Sequence, residues 1–120
     1  MRLMCLAAFS CIAITAGPAA HASAAPPQNG FVLGNAGRHV LLVCDGKPSA
    51  HPRAAEVCAS LERTKGDLSR LTTSLVYCTK EFAPVAVHAM GVWEGRLVRY
   101  TATFGNVCEL RAETGALFDF

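Results

Sequence analysis

Residues 84–104, PVAVHAMGVWEGRLVRYTATF, decide the fold. Val85, Val87 and Ala89 alternate with Ala86, His88 and Met90, which is the period of a strand with two unlike faces. After a turn at Trp93-Glu94-Gly95-Arg96, Val98, Tyr100, Ala102 and Phe104 share one face. Arg99, Thr101 and Thr103 take the other. Two alternating runs joined by a short glycine-containing turn make a β-hairpin. Its apolar face has to be buried against another layer.

A second layer is encoded upstream. His51-Pro52 opens a helix with proline at the first helical position. Ala54, Val57, Cys58 and Leu61 fall on one face, with Arg53, Glu56, Ser60 and Arg63 elsewhere. Gly66-Asp67 closes the helix, and Asp67 caps a short turn carrying Leu68 and Leu71. Before the helix, residues 40–44 are apolar throughout, as in a buried strand, and Asp45-Gly46-Lys47-Pro48 ends them. Residues 31–33 make a very short first strand, stopped by Gly34-Asn35-Ala36-Gly37. Residues 72–83 follow neither period and are expected to form a loop. Beyond the hairpin, residues 109–114 hold one helical turn that Gly115 stops. Leu117-Phe118-Asp119-Phe120 alternates and is expected to finish the sheet. The sum is an α+β domain, an antiparallel sheet with one main helix and one short helix packed on it.

The amino terminus reads as a secretory leader over residues 1–24. Arg2 precedes an apolar run at residues 3–15, Gly17-Pro18 breaks it, and cleavage sites follow at Ala20-His21-Ala22 and Ala22-Ser23-Ala24. The run is too short to span a bilayer, so no membrane anchor is expected. Residues 25–37 then form an arm with the short first strand, and residues 38–120 the domain proper. Cys5 and Cys11 leave with the leader. The remaining Cys44, Cys58, Cys78 and Cys108 imply two disulfides, in any of three pairings. No two of them stand at a zinc-finger spacing, and no metal site is expected. Without Arg2, ten basic residues face nine acidic ones, with no basic stripe to suggest a nucleic-acid partner.

No enzyme constellation or cofactor motif is present. His39, His51 and His88 lie in no metal-binding spacing and beside no evident nucleophile, so each reads as a surface or satisfied histidine. The loop Cys78-Thr79-Lys80-Glu81-Phe82-Ala83-Pro84 is more informative. It sets a long cation two residues after a disulfide-forming cysteine and four before a proline, and both constrain the backbone. A segment held extended in advance can dock into a cleft at little ordering cost. Taken alone, a lysine in a loop is a solvated surface group.

From about Arg38 to Phe120 the chain resembles the Streptomyces subtilisin inhibitor family. The matching residues are Val43-Cys44, His51-Pro52, Cys58 with Leu61, Gly66-Asp67-Leu68 with Leu71, Cys78, and Pro84-Val85. They continue through Gly91-Val92-Trp93 with Gly95, Val98 with Tyr100, Phe104 with Asn106, Cys108-Glu109, and Phe118 with Phe120. The resemblance implies pairing of Cys44 with Cys58 and Cys78 with Cys108, a five-stranded antiparallel sheet with two helices, and a homodimer formed through that sheet. It implies a secreted serine-protease inhibitor, not an enzyme, with its reactive bond between Lys80 and Glu81. Tyr77, Thr79 and Phe82 would fill neighbouring pockets of the protease, and Asn106 would brace the loop from behind. Lysine at that place favours trypsin-like enzymes, with subtilisin-like ones as second targets. The sequence departs from the family at Thr79, where proline is familiar, at the charge of Glu81, and in its short first strand. The rival expectation is a non-inhibitory extracellular binding module on the same scaffold.

Overall fold

A computed structural model describes residues 16–20, 25–72 and 77–120. The leader reading falls largely on residues 1–15 and 21–24, outside the described residues. The elements are β1 (Gly30–Asn35), β2 (Arg38–Val43), α1 (Ala54–Thr64), a 3-10 turn (Leu68–Arg70), β3 (Val85–Trp93), β4 (Arg96–Phe104) and α2 (Val107–Thr114).

The hairpin of residues 84–104 forms as its alternation requires. Val85 pairs with Phe104 and Trp93 with Arg96, leaving only Glu94 and Gly95 in the turn. Both turn residues have positive φ, at 48° and 74°, the geometry that matches the twist of the flanking strands. Ala36 and Gly37 repeat this device between β1 and β2. The sheet order is β2-β1-β3-β4, antiparallel throughout, so β1 is a central strand.

Four strands form the sheet among the described residues, not five. Residues 117–120 do not join it, because the chain there is folded into turns after α2. The Leu117 N–H donates to the Thr114 carbonyl at 3.3 Å and the Asp119 N–H to the Ala116 carbonyl at 3.1 Å, so neither donor is left for a strand ladder. The chain end is instead held by side chains. Asn35 donates to the Phe118 carbonyl at 2.9 Å, and Asp119 accepts from Arg53 at 3.0 Å and Arg111 at 2.7 Å. The first strand is also longer than residues 31–33 and runs for six residues. Gly34 and Asn35, read as part of the stop, lie within it, as does Gly30 at the end of the arm.

The core lies between the inner sheet face and the helices. Phe31, Leu33, Leu42, Val87 and Ala89 from the sheet meet Val57 and Leu61 of α1, Leu68 and Leu71, Leu110 of α2, and Leu117 and Phe118. Trp93 is fully buried and stacks on Phe31 with ring centroids 6.4 Å apart. Its indole lies against Gly66, where φ is +78° and a side chain would strike the ring. Glycine therefore meets two demands at once as α1 ends. The disulfide Cys44–Cys58 ties the end of β2 to α1 across a sequence separation of 14.

The helix start differs from its expected form. Pro52 lies in the preceding turn and α1 begins at Ala54, after Arg53, whose side chain caps nothing. His51 does the work from outside. Its Nδ1 accepts the Arg53 N–H at 3.0 Å, and its Nε2 lies 3.0 Å from the Leu117 carbonyl. Those partners require a neutral ring, with the proton on Nε2. His51 is buried, and that burial lowers its pKa below 6.5, outweighing the nearby backbone carbonyls that favour the charged ring. The unfolded chain therefore binds the proton more readily. Stability from this group is complete above the unfolded pKa and is lost as pH falls from 6.5 toward the folded value. Asp119 acts in a lower window, because the hydrogen bond from Arg111, aided by Arg53, holds its pKa below 3.8.

Urea unfolding followed between about pH 7 and pH 5 should show stability falling with acidification. His51→Ala should flatten that slope and lower stability at pH 7 by about 1–3 kcal/mol, since the Arg53 N–H and the Leu117 carbonyl lose their partner. An unchanged slope in the variant would assign the pH dependence elsewhere.

Candidate functional site

Residues 77–84 cross the surface between residues 73–76, which lie outside the described residues, and β3. They form no regular element. Residues 79–84 are all exposed. Tyr77 and Phe82, at 98% and 84% exposure, point two large aromatic groups into solvent. An apolar display of this kind on an ordered loop marks an interaction surface.

Four attachments hold the segment from behind. Cys78 is bonded to Cys108 in the first turn of α2, with Cα atoms 5.7 Å apart. Asn106 donates from Nδ2 to two loop carbonyls, Thr79 at 3.1 Å and Glu81 at 2.9 Å. The Ala83 N–H donates to the Gly105 carbonyl at 2.8 Å. Pro84 then restricts the backbone leading into β3. Lys80 sits between the two carbonyls that Asn106 holds, with its side chain exposed.

Asn106 is 6% exposed. Its Oδ1 accepts the Glu109 N–H at 2.9 Å, which makes it the N-cap of α2. That bond fixes which end of the amide is oxygen, so both Nδ2 hydrogens are left to face the loop. Glu109 closes the arrangement by accepting the Gly105 N–H at 3.0 Å. The sequence reading missed Glu109 as a support and gave α2 one turn where it has eight residues. The signal was present in Asn106 followed three residues later by Glu109, the spacing of a helix start with reciprocal capping.

The three histidines are placed differently from one another. His51 is the buried support already described. His39 and His88 are exposed on the outer sheet face. Among the described residues no group of three or more histidine, cysteine or acidic side chains could hold a metal ion. No helix there is long and apolar enough to cross a membrane.

A family model described as subtilisin inhibitor-like matches residues 8–106. The chain belongs to the subtilisin inhibitor-like family. Within that family, protease inhibitor SIL-V2 of Streptomyces orinoci is 45% identical over 86 residues, covering 69% of this chain and 79% of the relative. Subtilisin inhibitor-like protein 4 of Streptomyces lavendulae is 39% identical over 117 residues, covering 96% and 93%. Both are protease inhibitors by name, not enzymes. Sermetstatin of Streptomyces caespitosus, solved in complex with Bacillus licheniformis subtilisin, matches with a TM-score of 0.59 and 29% identity over 73% of this chain and 93% of that one.

Replacing Asn106 with alanine removes an N-cap and both carbonyl contacts together. Stability should fall by about 1–3 kcal/mol, read by urea unfolding, and limited proteolysis within residues 77–84 should accelerate. Unchanged cleavage of the loop would mean that the disulfide alone holds it.

Proposed function

We propose that this chain is a secreted inhibitor of serine proteases that offers the Lys80–Glu81 peptide bond as a slowly cleaved bait. The observation that carries this reading is the grip of the Asn106 amide on the carbonyls of Thr79 and Glu81, one on each side of Lys80. A segment so held keeps an extended form before it meets an enzyme, and binding then costs little further order. Its backbone can pair with the cleft as an added strand. Tyr77 and Thr79 occupy the pockets before the bond, Lys80 the primary pocket and Phe82 a pocket after it.

The chemistry follows from the tethering. The catalytic serine attacks the Lys80 carbonyl, and the amine of Glu81 leaves as the acyl-enzyme forms. That amine does not diffuse away. The Glu81 side of the bond is held by Asn106, by the Ala83–Gly105 hydrogen bond and by β3. The Lys80 side is held by Asn106 and by the disulfide to Cys108. High effective concentration then favours return of the amine to the acyl carbon over attack by water. The enzyme is occupied rather than turned over.

Lysine favours trypsin-like enzymes, whose primary pocket contains a carboxylate that pairs with the ammonium. Subtilisin-like enzymes are the second class, in line with the subtilisin complex of sermetstatin. Residues 1–24 act as the leader for export, and the mature chain starts near Ala25. The protein works as a homodimer through the outer sheet face, where Val32, Leu41, Met90 and Leu97 are between 47% and 63% exposed. Single exposed apolar residues are ordinary, but an apolar cluster on one face is suited to burial against a second copy.

Titration of active trypsin and subtilisin with the oxidised mature chain should show near-stoichiometric inhibition. Lys80→Ala should weaken trypsin inhibition by at least about 2 kcal/mol, roughly thirtyfold. Binding that survives a bulky block on the catalytic serine would instead favour a binding module that uses another surface. Sedimentation should give a dimer that Met90→Glu converts to monomer. A monomeric parent chain would remove the assembly from the proposal.

A further inference from the structure

The outer face of the sheet carries a pair of histidines that sequence spacing hides, because 39 and 88 lie on strands from opposite halves of the chain. In register, Gly34 of β1 is flanked by His39 of β2 on one side and by His88 of β3 on the other. β2 and β3 are not neighbours, and two strand spacings separate their backbones by roughly 9–10 Å. The imidazoles nevertheless meet, with ring centroids 5.3 Å apart and planes inclined by 55°. They do so across the one position between them that has no side chain. A Cβ at residue 34 would collide with the His88 ring. Glycine weakens the interior of a central strand, and its use there marks the close approach of another group.

We infer that His39 and His88 form a chelating site for a divalent transition-metal ion of the zinc, copper or nickel class. Two imidazoles bound to one tetrahedral ion, with metal–nitrogen bonds of about 2.0–2.1 Å, place their ring centroids roughly 5 Å apart. The pair already stands near that distance. Both side chains are exposed on the single protomer, so an ion reaches them without opening the fold. They also lie on the face proposed for dimerisation, so metal binding and pairing of that face are expected to compete. Imidazole selects these metals, whereas calcium and magnesium require oxygen donors. No third histidine, cysteine or acidic residue joins the pair among the described residues. The remaining coordination positions therefore go to water.

The neighbourhood fits a site that is built by two side chains alone. Thr101 of β4 is the register partner of His88. Val32, Leu41 and Met90 form the adjacent row, with the exposed Arg99 of β4 as the register partner of Met90. The second imidazole is presented at high effective concentration once the first has bound, and little ordering is needed. This site is independent of the Lys80 loop, and its failure would leave the inhibitor reading untouched.

The test is calorimetric titration of tag-free, oxidised protein with Zn²⁺, Cu²⁺ and Ni²⁺, and with Mg²⁺ for contrast. One or more of the first three should bind at a site that Mg²⁺ does not occupy. His39→Ala and His88→Ala should each weaken binding on the order of 10- to 100-fold or more, since losing even an outer-sphere partner of a metal ligand has effects of that size. Gly34→Ala retains both ligands but pushes the His88 ring aside, and it should weaken binding too. Circular dichroism checks that each variant is folded. As a second readout, Cu²⁺ should broaden amide signals around residues 34, 39 and 88 before any others. Absence of binding by all three transition ions would overturn the inference. So would affinity unchanged in either histidine variant, or broadening centred on His51 or on the amino terminus.

Discussion

Asn106 faces two directions at once, and the functional half of the molecule depends on how its amide is used. The oxygen receives the Glu109 N–H in the first turn of α2, and the nitrogen gives its two hydrogens to carbonyls of the 77–84 loop. No hydrogen-bonding atom of that side chain is left over, and burial in a low-dielectric corner raises the cost of losing any of the three contacts. Loop geometry is therefore coupled to the start of α2, which the Cys78–Cys108 bond and the Leu110 contact with the core hold in place. The exposed residues around Lys80 owe their conformation to a side chain that a partner would scarcely touch.

The rest of the domain supplies a floor for this corner. β4 leads straight through Gly105 into Asn106, so the brace is as rigid as the hairpin that carries it. The inner face of that hairpin is closed by Trp93 at one end and by Tyr100 stacked on Phe118 further along. Residues 117–120, expected as a strand, are instead locked by Arg53, Arg111 and His51.

What the sequence made legible follows from how local each signal is. The hairpin could be read because alternation and turn chemistry both act within a few residues, and the main helix because its apolar face repeats over three turns. The end of the chain could not be read in this way. Its alternation is genuine, but Phe118 and Leu117 are drawn inward together by partners far away in sequence. Gly34 looked like a strand terminator because its purpose, clearing room for His88, exists only once β1 lies between β2 and β3. For the same reason the two exposed histidines looked unrelated. In the candidate site, the cysteines and the spacing around Lys80 were visible, and resemblance pointed to Asn106. The part played by Glu109 was written in its spacing from Asn106 and went unread.

The sheet order β2-β1-β3-β4 has a kinetic side. β1 and β2 pair through a two-residue turn, as do β3 and β4, so each hairpin can form from local contacts. Joining β1 to β3 requires closing a loop that contains α1 and the whole 77–84 segment, the slow kind of step in sheet folding. Phe31 and Leu33 find Val87, Ala89 and Trp93 only after that closure. The amino-terminal half therefore has no complete core of its own, and it stays uncommitted until the last third of the chain is available. A polypeptide organised in this way commits to its core only once strands from both of its halves are present together.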